Sequence, residues 1–291
     1  MKKLTLMLLA VFLLAATTAM AKPGVLLVAF GTSMDSARPA IDDIEKVYKK
    51  EFSKNGPVLM AFTSDIIRNK LAKEGKPVLS VNAAMKKMTE NGVTDLTIQS
   101  LHLCPAEEYS QLERMVVKFI SKNPGTFKTV KVGYPLLVSQ KDLDDVVKTV
   151  LQALPEDREP GDAVLLMGHG NDRGPGDLTI AAAAAAFNKA DSKVWLAAVE
   201  GACSVDKVMP AIKASGAKRV WLQPFMIVAG DHANNDLAGA EEDSWASMVK
   251  AQGMTPMPNL VGLGQLKGIQ NLFLEHTHNA VVDLANTNKA D

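Results

Sequence analysis

Short apolar runs alternate with longer amphipathic segments along this chain, and glycine, proline or serine marks most of the joins. Gly24-Val25-Leu26-Leu27-Val28-Ala29-Phe30-Gly31-Thr32 reads as a strand and its turn, and Val58–Phe62, Leu96–His102 and Lys128–Val138 read as three more strands. Helical periodicity fills the gaps. From Ser36 or Pro39 to Lys50, the residues Ile41, Ile44, Val47 and Tyr48 share one face. Asp65–Glu74 and Pro77–Glu90 follow, each ended by a glycine, Gly75 and Gly92. Another helix opens near Pro105, and Ser139 is placed to cap the next.

The order then starts again. Val164–Met167, Val194–Val199, Val220–Ile227 and a segment near Leu260 are the second set of strands. Asp177 is read as the cap of a helix carrying six alanines, Ala181 to Ala186, whose smooth face suits close packing. Ser204 caps a helix to Ala214; later helices are expected from about Asn235 to Lys250 and from Leu266 to about Leu284. The halves match residue by residue: Val25–Gly31 lies over Val164–Gly170, and Gly92 through Gln99 to Leu103 lies over Gly216 through Gln223 to Ile227. This is the pattern of an α/β chain built by duplicating a four-stranded βα unit. The expected division is residues 1–21, 22–157 and 158–291, with the linker in the proline-bracketed stretch Leu154–Pro160. Two such lobes meet across a cleft, where small ligands bind.

With 291 residues, 47% of them hydrophobic and 22% charged, the composition is that of a globular chain. Lys+Arg and Asp+Glu both total 32, so nothing draws it to nucleic acid or to an anionic membrane, and an anionic ligand must be met by local charges. The first residues read as a cleavable signal peptide: Met1-Lys2-Lys3, an apolar core from Leu4 to Ala16, and the small-x-small site Ala19-Met20-Ala21. That apolar run is short of the ~20 residues a spanning helix needs, so no membrane span is expected in the mature chain. The expected address is the periplasm of a Gram-negative cell. Two cysteines, Cys104 and Cys203, do not make a disulfide framework and are expected as buried free thiols.

Three strand ends of the second half carry the candidate chemistry: His169 in Met167-Gly168-His169-Gly170, Glu200, and His232 in Gly230-Asp231-His232-Ala233-Asn234-Asn235-Asp236. In a parallel sheet these ends share one edge, so the three side chains can converge. Two imidazoles and a carboxylate with open positions suit Fe²⁺ or Co²⁺, and zinc as well. The matching first-half positions are Phe30, Ser64 and Glu108, so only the second half keeps the full set. His102 ends a first-half strand and faces the same cleft, where it could touch a ligand or bind a haem iron; a satisfied loop histidine is the simpler state. Glu113 either points back at the cleft or lies on a solvated helix face. Glu275-His276-Thr277-His278 reads as surface, because side chains two apart on a helix do not share a face.

These motifs resemble the anaerobic cobalt chelatases of cobalamin synthesis, relatives of the protoporphyrin ferrochelatases. The resemblance covers essentially the whole mature chain and is carried by Ala29–Thr32, Gln99–His102, Met167–Asn171 and Gly230–Asp236. It implies the chelatase fold, two flavodoxin-like lobes clasping a tetrapyrrole, and a homo-oligomer. It further implies insertion of Co²⁺ or Fe²⁺ into sirohydrochlorin, with His169 as catalytic residue and His169, Glu200 and His232 as metal ligands. Phe30, His102 and Glu113 become candidate tetrapyrrole contacts, and Arg38, Lys207 and Arg173 candidate partners for the substrate's carboxylates. A signal peptide departs from a cytoplasmic biosynthetic task, which keeps open a non-catalytic exported carrier of metal or haem. A transporter's substrate-binding protein ranks last, since it leaves the histidine-bearing strand ends unexplained.

Overall fold

The computed structural model describes residues 21–170 and 176–286; the signal-peptide segment, Asn171 and Arg173 lie outside the described residues. Its strands are β1 (Pro23–Ala29), β2 (Val58–Phe62), β3 (Asp95–Ser100), β4 (Thr129–Gly133), β5 (Ala163–Gly168), β6 (Val194–Ala198), β7 (Arg219–Pro224) and β8 (Thr255–Pro258). The helices are α1 (Pro39–Phe52), α2 (Asp65–Lys73), α3 (Val81–Glu90), α4 (Glu107–Lys122), α5 (Gln140–Gln152), α6 (Gly176–Ala190), α7 (Val205–Ala214), α8 (Trp245–Ala251) and α9 (Lys267–His278).

Two four-stranded sheets form, ordered β2-β1-β3-β4 and β6-β5-β7-β8. All pairings between these strands are parallel. The two orders superpose when the chain is folded onto its own repeat, and the repeat persists to single hydrogen bonds. Leu101 N donates to Val28 O at 2.8 Å as Phe225 N donates to Met167 O at 2.6 Å. Gln99 and Gln223, matched in sequence, are both buried. Each reaches the loop after the fourth strand of its sheet: Gln99 Nε2 donates to Tyr134 O at 2.8 Å, and Gln223 Oε1 accepts from Asn259 Nδ2 at 2.9 Å.

Strand alternation sorts the core into three layers. Val25, Leu27 and Ala29 of β1 face inward, as do Val164 and Leu166 of β5, into one central core that also takes α1, α5, α6 and α9. Leu26 and Val28 face an outer layer with α3 and α4, while Leu165 and Met167 face the other outer layer with α7 and α8. The two lobes therefore share one interior and are not independent bodies joined by a linker.

The terminal segment shows this most directly. Helix α9 packs against α1, α5, β3 and β4. Leu284 N then donates to Val130 O at 2.8 Å, beside an antiparallel bridge between Lys131 and Asp283. Consequently the expected surface reading of Glu275–His278 is half wrong. Glu275 and His278 are outside, paired with Lys141 and Glu51. His276 and Thr277 are buried. His276 Nε2 meets Asp142 Oδ1 at 3.1 Å, and Thr277 Oγ1 sits 2.8 Å from Gln99 Oε1 and 2.7 Å from the Tyr48 hydroxyl.

Five other boundaries differ from expectation. The strand expected over Lys128–Val138 closes at Gly133, and Pro77–Ser80 stays outside α3, with Leu79 bridging to Ala61. Asp177 lies inside α6 and accepts from Ala202 N at 3.0 Å, tying α6 to the loop after β6. The helix expected over Asn235–Lys250 is split: a π-type turn, Ala233–Leu237, is followed by α8, with Ser244 as its cap. The last helix ends at His278, short of Leu284.

Candidate functional site at the carboxyl edge of the second sheet

His169 stands directly after β5. Its carbonyl accepts from Glu200 N at 2.9 Å, and Gly168 O accepts from Val199 N at 3.0 Å. The same pair of bonds occurs in the first lobe, Ser64 N to Phe30 O at 3.3 Å and Thr63 N to Ala29 O at 2.9 Å, so the matched positions occupy matched places. Gly170 makes the approach of the two strand ends feasible. Its φ is +78°, and a Cβ there would lie 1.9 Å from Glu200 O. Glycine alone fits.

His232 arrives from the loop after β7. Asn234 Nδ2 donates to Gly230 O at 2.7 Å and Ala229 O at 3.2 Å, and Asn235 Nδ2 donates to Asp231 Oδ1 at 3.0 Å, which fixes that loop. The π-type turn then sets Asp236 under His232, with Nδ1 2.5 Å from Asp236 Oδ2. The two imidazoles meet edge to face, their ring centroids 4.9 Å apart. His169 Nδ1 lies 3.0 Å from Gly170 O. A carbonyl and a carboxylate only accept, so on each ring Nδ1 carries a proton and Nε2 is the atom left to meet a ligand. Glu200 is exposed beside them. Among the described residues no three His, Cys, Asp or Glu side chains gather closely enough to hold an ion, so the structure assembles the histidine pair and leaves the Glu200 carboxylate apart from it.

From the first lobe, Glu108 at the start of α4 lies within the field of His169. Its side chain is open to the cleft. Crowding by protein raises its carboxyl above the usual glutamate range, and the field of His169 partly offsets this. Sequence reasoning had Glu108 only as the repeat partner of His232; the signal for its role lies in that match, but which side chain it faces is set by how the lobes close. Cys104 lies next to it, and burial together with Glu108 pushes its thiol up to about 12. Cys104 and Cys203 are free thiols, both half-buried.

The other expected contacts sort as follows. Phe30 is 46% exposed at the end of β1, an open aromatic face on the cleft edge. His102 is not an open loop residue: it is 3% exposed, and burial pushes its pKa down to about 4. Its Nδ1 is 2.8 Å from Ser100 Oγ, and its buried Nε2 has no hydrogen-bond partner among the described residues. A ring so covered does not meet what an axial haem ligand needs. Glu113 is half-buried and engaged by the Tyr109 hydroxyl rather than free in the cleft. Lys207 Nζ donates to Ala202 O at 2.7 Å, and Arg38 Nε donates to Asp42 Oδ1 at 2.7 Å.

Comparison with known proteins gives the chain its family. The chain is 34% identical over 262 residues to the sirohydrochlorin cobaltochelatase CbiKC of Nitratidesulfovibrio vulgaris, covering 90% of this chain and 92% of that one. It is 31% identical over 270 residues to the sirohydrochlorin cobaltochelatase of Salmonella typhimurium, covering 89% and 97%. Among solved structures, the fold is similar to that of SirB from Bacillus subtilis with Fe³⁺, at a TM-score of 0.63 and 13% identity, over 92% of this chain and 98% of that one. The sirohydrochlorin chelatase SirB from Bacillus subtilis subspecies spizizenii in complex with cobalt gives a TM-score of 0.60 and 14% identity, over 92% and 98%. The cobalt chelatase (CbiK) family profile matches residues 23–282, nearly all that follows the amino-terminal segment, and the chain belongs to that family.

Proposed function

We propose that the protein inserts Co²⁺ into sirohydrochlorin, with the metal delivered and the pyrrole protons removed between His169, His232 and Glu108. The observation that carries this reading is the histidine pair: two imidazoles with ring centroids 4.9 Å apart, each with Nδ1 occupied by an acceptor and Nε2 left to meet a ligand. The substrate follows from the two cobaltochelatases whose sequences align over nearly their whole length.

Insertion replaces two N–H bonds of the macrocycle with bonds to the metal and releases two protons. His169 and His232 hold Co²⁺ through Nε2, with Glu200 as a third ligand when its exposed side chain swings in. Two imidazoles and one carboxylate leave positions open, so the ion can pass to the ring nitrogens. Glu108 reaches the opposite side of the bound macrocycle from the first lobe. Its raised carboxyl is a better proton acceptor, once ionised, than an ordinary glutamate. Phe30 offers an aromatic face for the macrocycle. The same site takes Fe²⁺, since ligand type discriminates weakly between the two ions.

Export belongs to the same proposal. Met1–Ala21 directs the chain to the periplasm and is removed there, and the amino terminus of the purified mature protein tests this. Among the described residues no helix is long and apolar enough to cross a membrane. A homo-oligomer is also proposed, checked by light scattering.

The test is a single-turnover assay: mature protein, metal-free sirohydrochlorin and Co²⁺, followed by absorbance, beside His169→Ala. The expected result is insertion above the spontaneous rate and its loss in the variant. Binding of the macrocycle without insertion would overturn the reading.

A further inference from the structure

A cavity of about 390 Å³ opens beside the cleft, on the first lobe. Its wall is the loop after β1, Thr32 to Asp35, together with Arg38, Asp42, Leu71 and Lys76. This loop is in contact with the one that carries His232: Asn234 Nδ2 lies 3.8 Å from Met34 Sδ, and a Cβ on Gly230 would be 3.9 Å from Thr32 Oγ1. The cavity wall therefore touches the loop that carries His232.

Its two cations are held differently. Arg38 stacks over the buried Phe62 ring, 5.5 Å from the centroid, and gives only Nε to Asp42. Its two terminal amino groups make no hydrogen bond among the described residues, and stacking fixes the plane in which they point. Lys76 Nζ is 2.8 and 3.0 Å from the two oxygens of Asp35. That pair is exposed, so water screens it and its loss is cheap. An incoming carboxylate can take Lys76 from Asp35 and dock on the free edge of Arg38. Sirohydrochlorin carries acetate and propionate groups around its rim, whereas the protein as a whole has no net charge to attract them.

We propose that this cavity is the seat of one peripheral carboxylate of the tetrapyrrole, bound by Arg38 and Lys76, and that it fixes the rotation of the macrocycle over the histidine pair. The inference rests on the chelatase reading and adds a specificity site to it. Asp35 acts there as an internal competitor for Lys76.

The test measures the affinity of the full mature protein for metal-free sirohydrochlorin and for its fully methyl-esterified form, beside metallation kinetics. Lys76→Met weakens binding of the free acid by about tenfold, the scale of one lost charge-assisted hydrogen bond, and the loss falls on KM rather than kcat. Asp35→Asn frees Lys76 and tightens binding. Neither change alters affinity for the ester. A purely structural pair would give losses of the same sign in both variants and for both ligands, and that result overturns the proposal, as does unchanged affinity in Lys76→Met. Binding by wild type without metallation would instead defeat the chelatase reading while leaving the carboxylate seat intact.

Discussion

Gly170 gives a direct measure of how tightly the two metal-side strand ends are packed. Its φ of +78° is nearly that of Gly216, at +75°, so alanine suffers the same left-handed strain at both, about 1–2 kcal/mol. The surroundings differ. A Cβ on Gly216 meets nothing within 4 Å, while one on Gly170 would lie 1.9 Å from Glu200 O and 2.8 Å from Ala198 Cβ. Backbone cannot yield as a side chain does, so overpacking adds about 1–3 kcal/mol at Gly170 alone. At roughly 2–4 °C per kcal/mol for a chain of this size, calorimetry should place Gly170→Ala about 2–12 °C below Gly216→Ala. The bond from Glu200 N to His169 O must also stretch, so Co²⁺ affinity falls in Gly170→Ala and holds in Gly216→Ala. Equal melting temperatures with equal metal affinity would refute the packing argument.

Three further outcomes follow from the charged groups. Asp162 is buried and takes hydrogen bonds from Arg219, from Trp221 Nε1 at 3.0 Å and from Glu159 N at 3.0 Å, with Arg219 foremost in holding its carboxyl down at about 2. A lowered pKa contributes stability above the unfolded value, lost as pH falls through the folded one; from 3.8 to about 2 this is about 2.5 kcal/mol, disappearing between about pH 4 and pH 2. Urea titrations should show Asp162→Asn less stable than wild type near neutrality, with the gap closing in that acid window; a gap independent of pH would contradict it. Glu108→Gln removes a carboxyl whose pKa is raised, so the acid limb of the metallation pH–rate profile, which lies above the ordinary glutamate range in wild type, should vanish together with most of the rate; an unchanged limb would assign it to another group. Asp236→Asn frees Nδ1 of His232 to change tautomer, and Co²⁺ affinity should drop by about tenfold or more; affinity at the wild-type level would mean that the tautomer is held otherwise.

The repeat was readable because it is written in local signals. Apolar runs of matching length, glycines at matching turns and the paired Gln99 and Gln223 predict two sheets of the same order, and the two sheets have it. His169 and His232 were legible for the same reason: a parallel sheet brings its carboxyl ends to one edge. What depends on contact between lobes was not. Glu108 appears in the sequence as one of two acidic residues opening a helix, and only the closure of the first lobe over the second brings it into the field of His169. His276 and Thr277 looked solvated because their burial requires α9 to leave its own sheet and cross to the first. The helix expected from Asn235 fails for a local reason that could have been read. Gly239 interrupts it, with Asn235 O where a Cβ would fall, and Ser244 restarts a helix by accepting from Ser247 N at 3.1 Å. The capping signal was present and was outweighed by the apolar periodicity.

The account stands on turnover by this cleft, and a count of products tests it most directly. Mature protein is mixed with a large excess of Co²⁺ and metal-free sirohydrochlorin, and cobalt-sirohydrochlorin is counted per protein chain over time, with His169→Ala and His232→Ala alongside. The account predicts many products per chain for wild type and a fall to the spontaneous rate in both variants. A plateau at one tetrapyrrole per chain, with the variants altered in affinity but not in rate, would contradict it and identify a carrier.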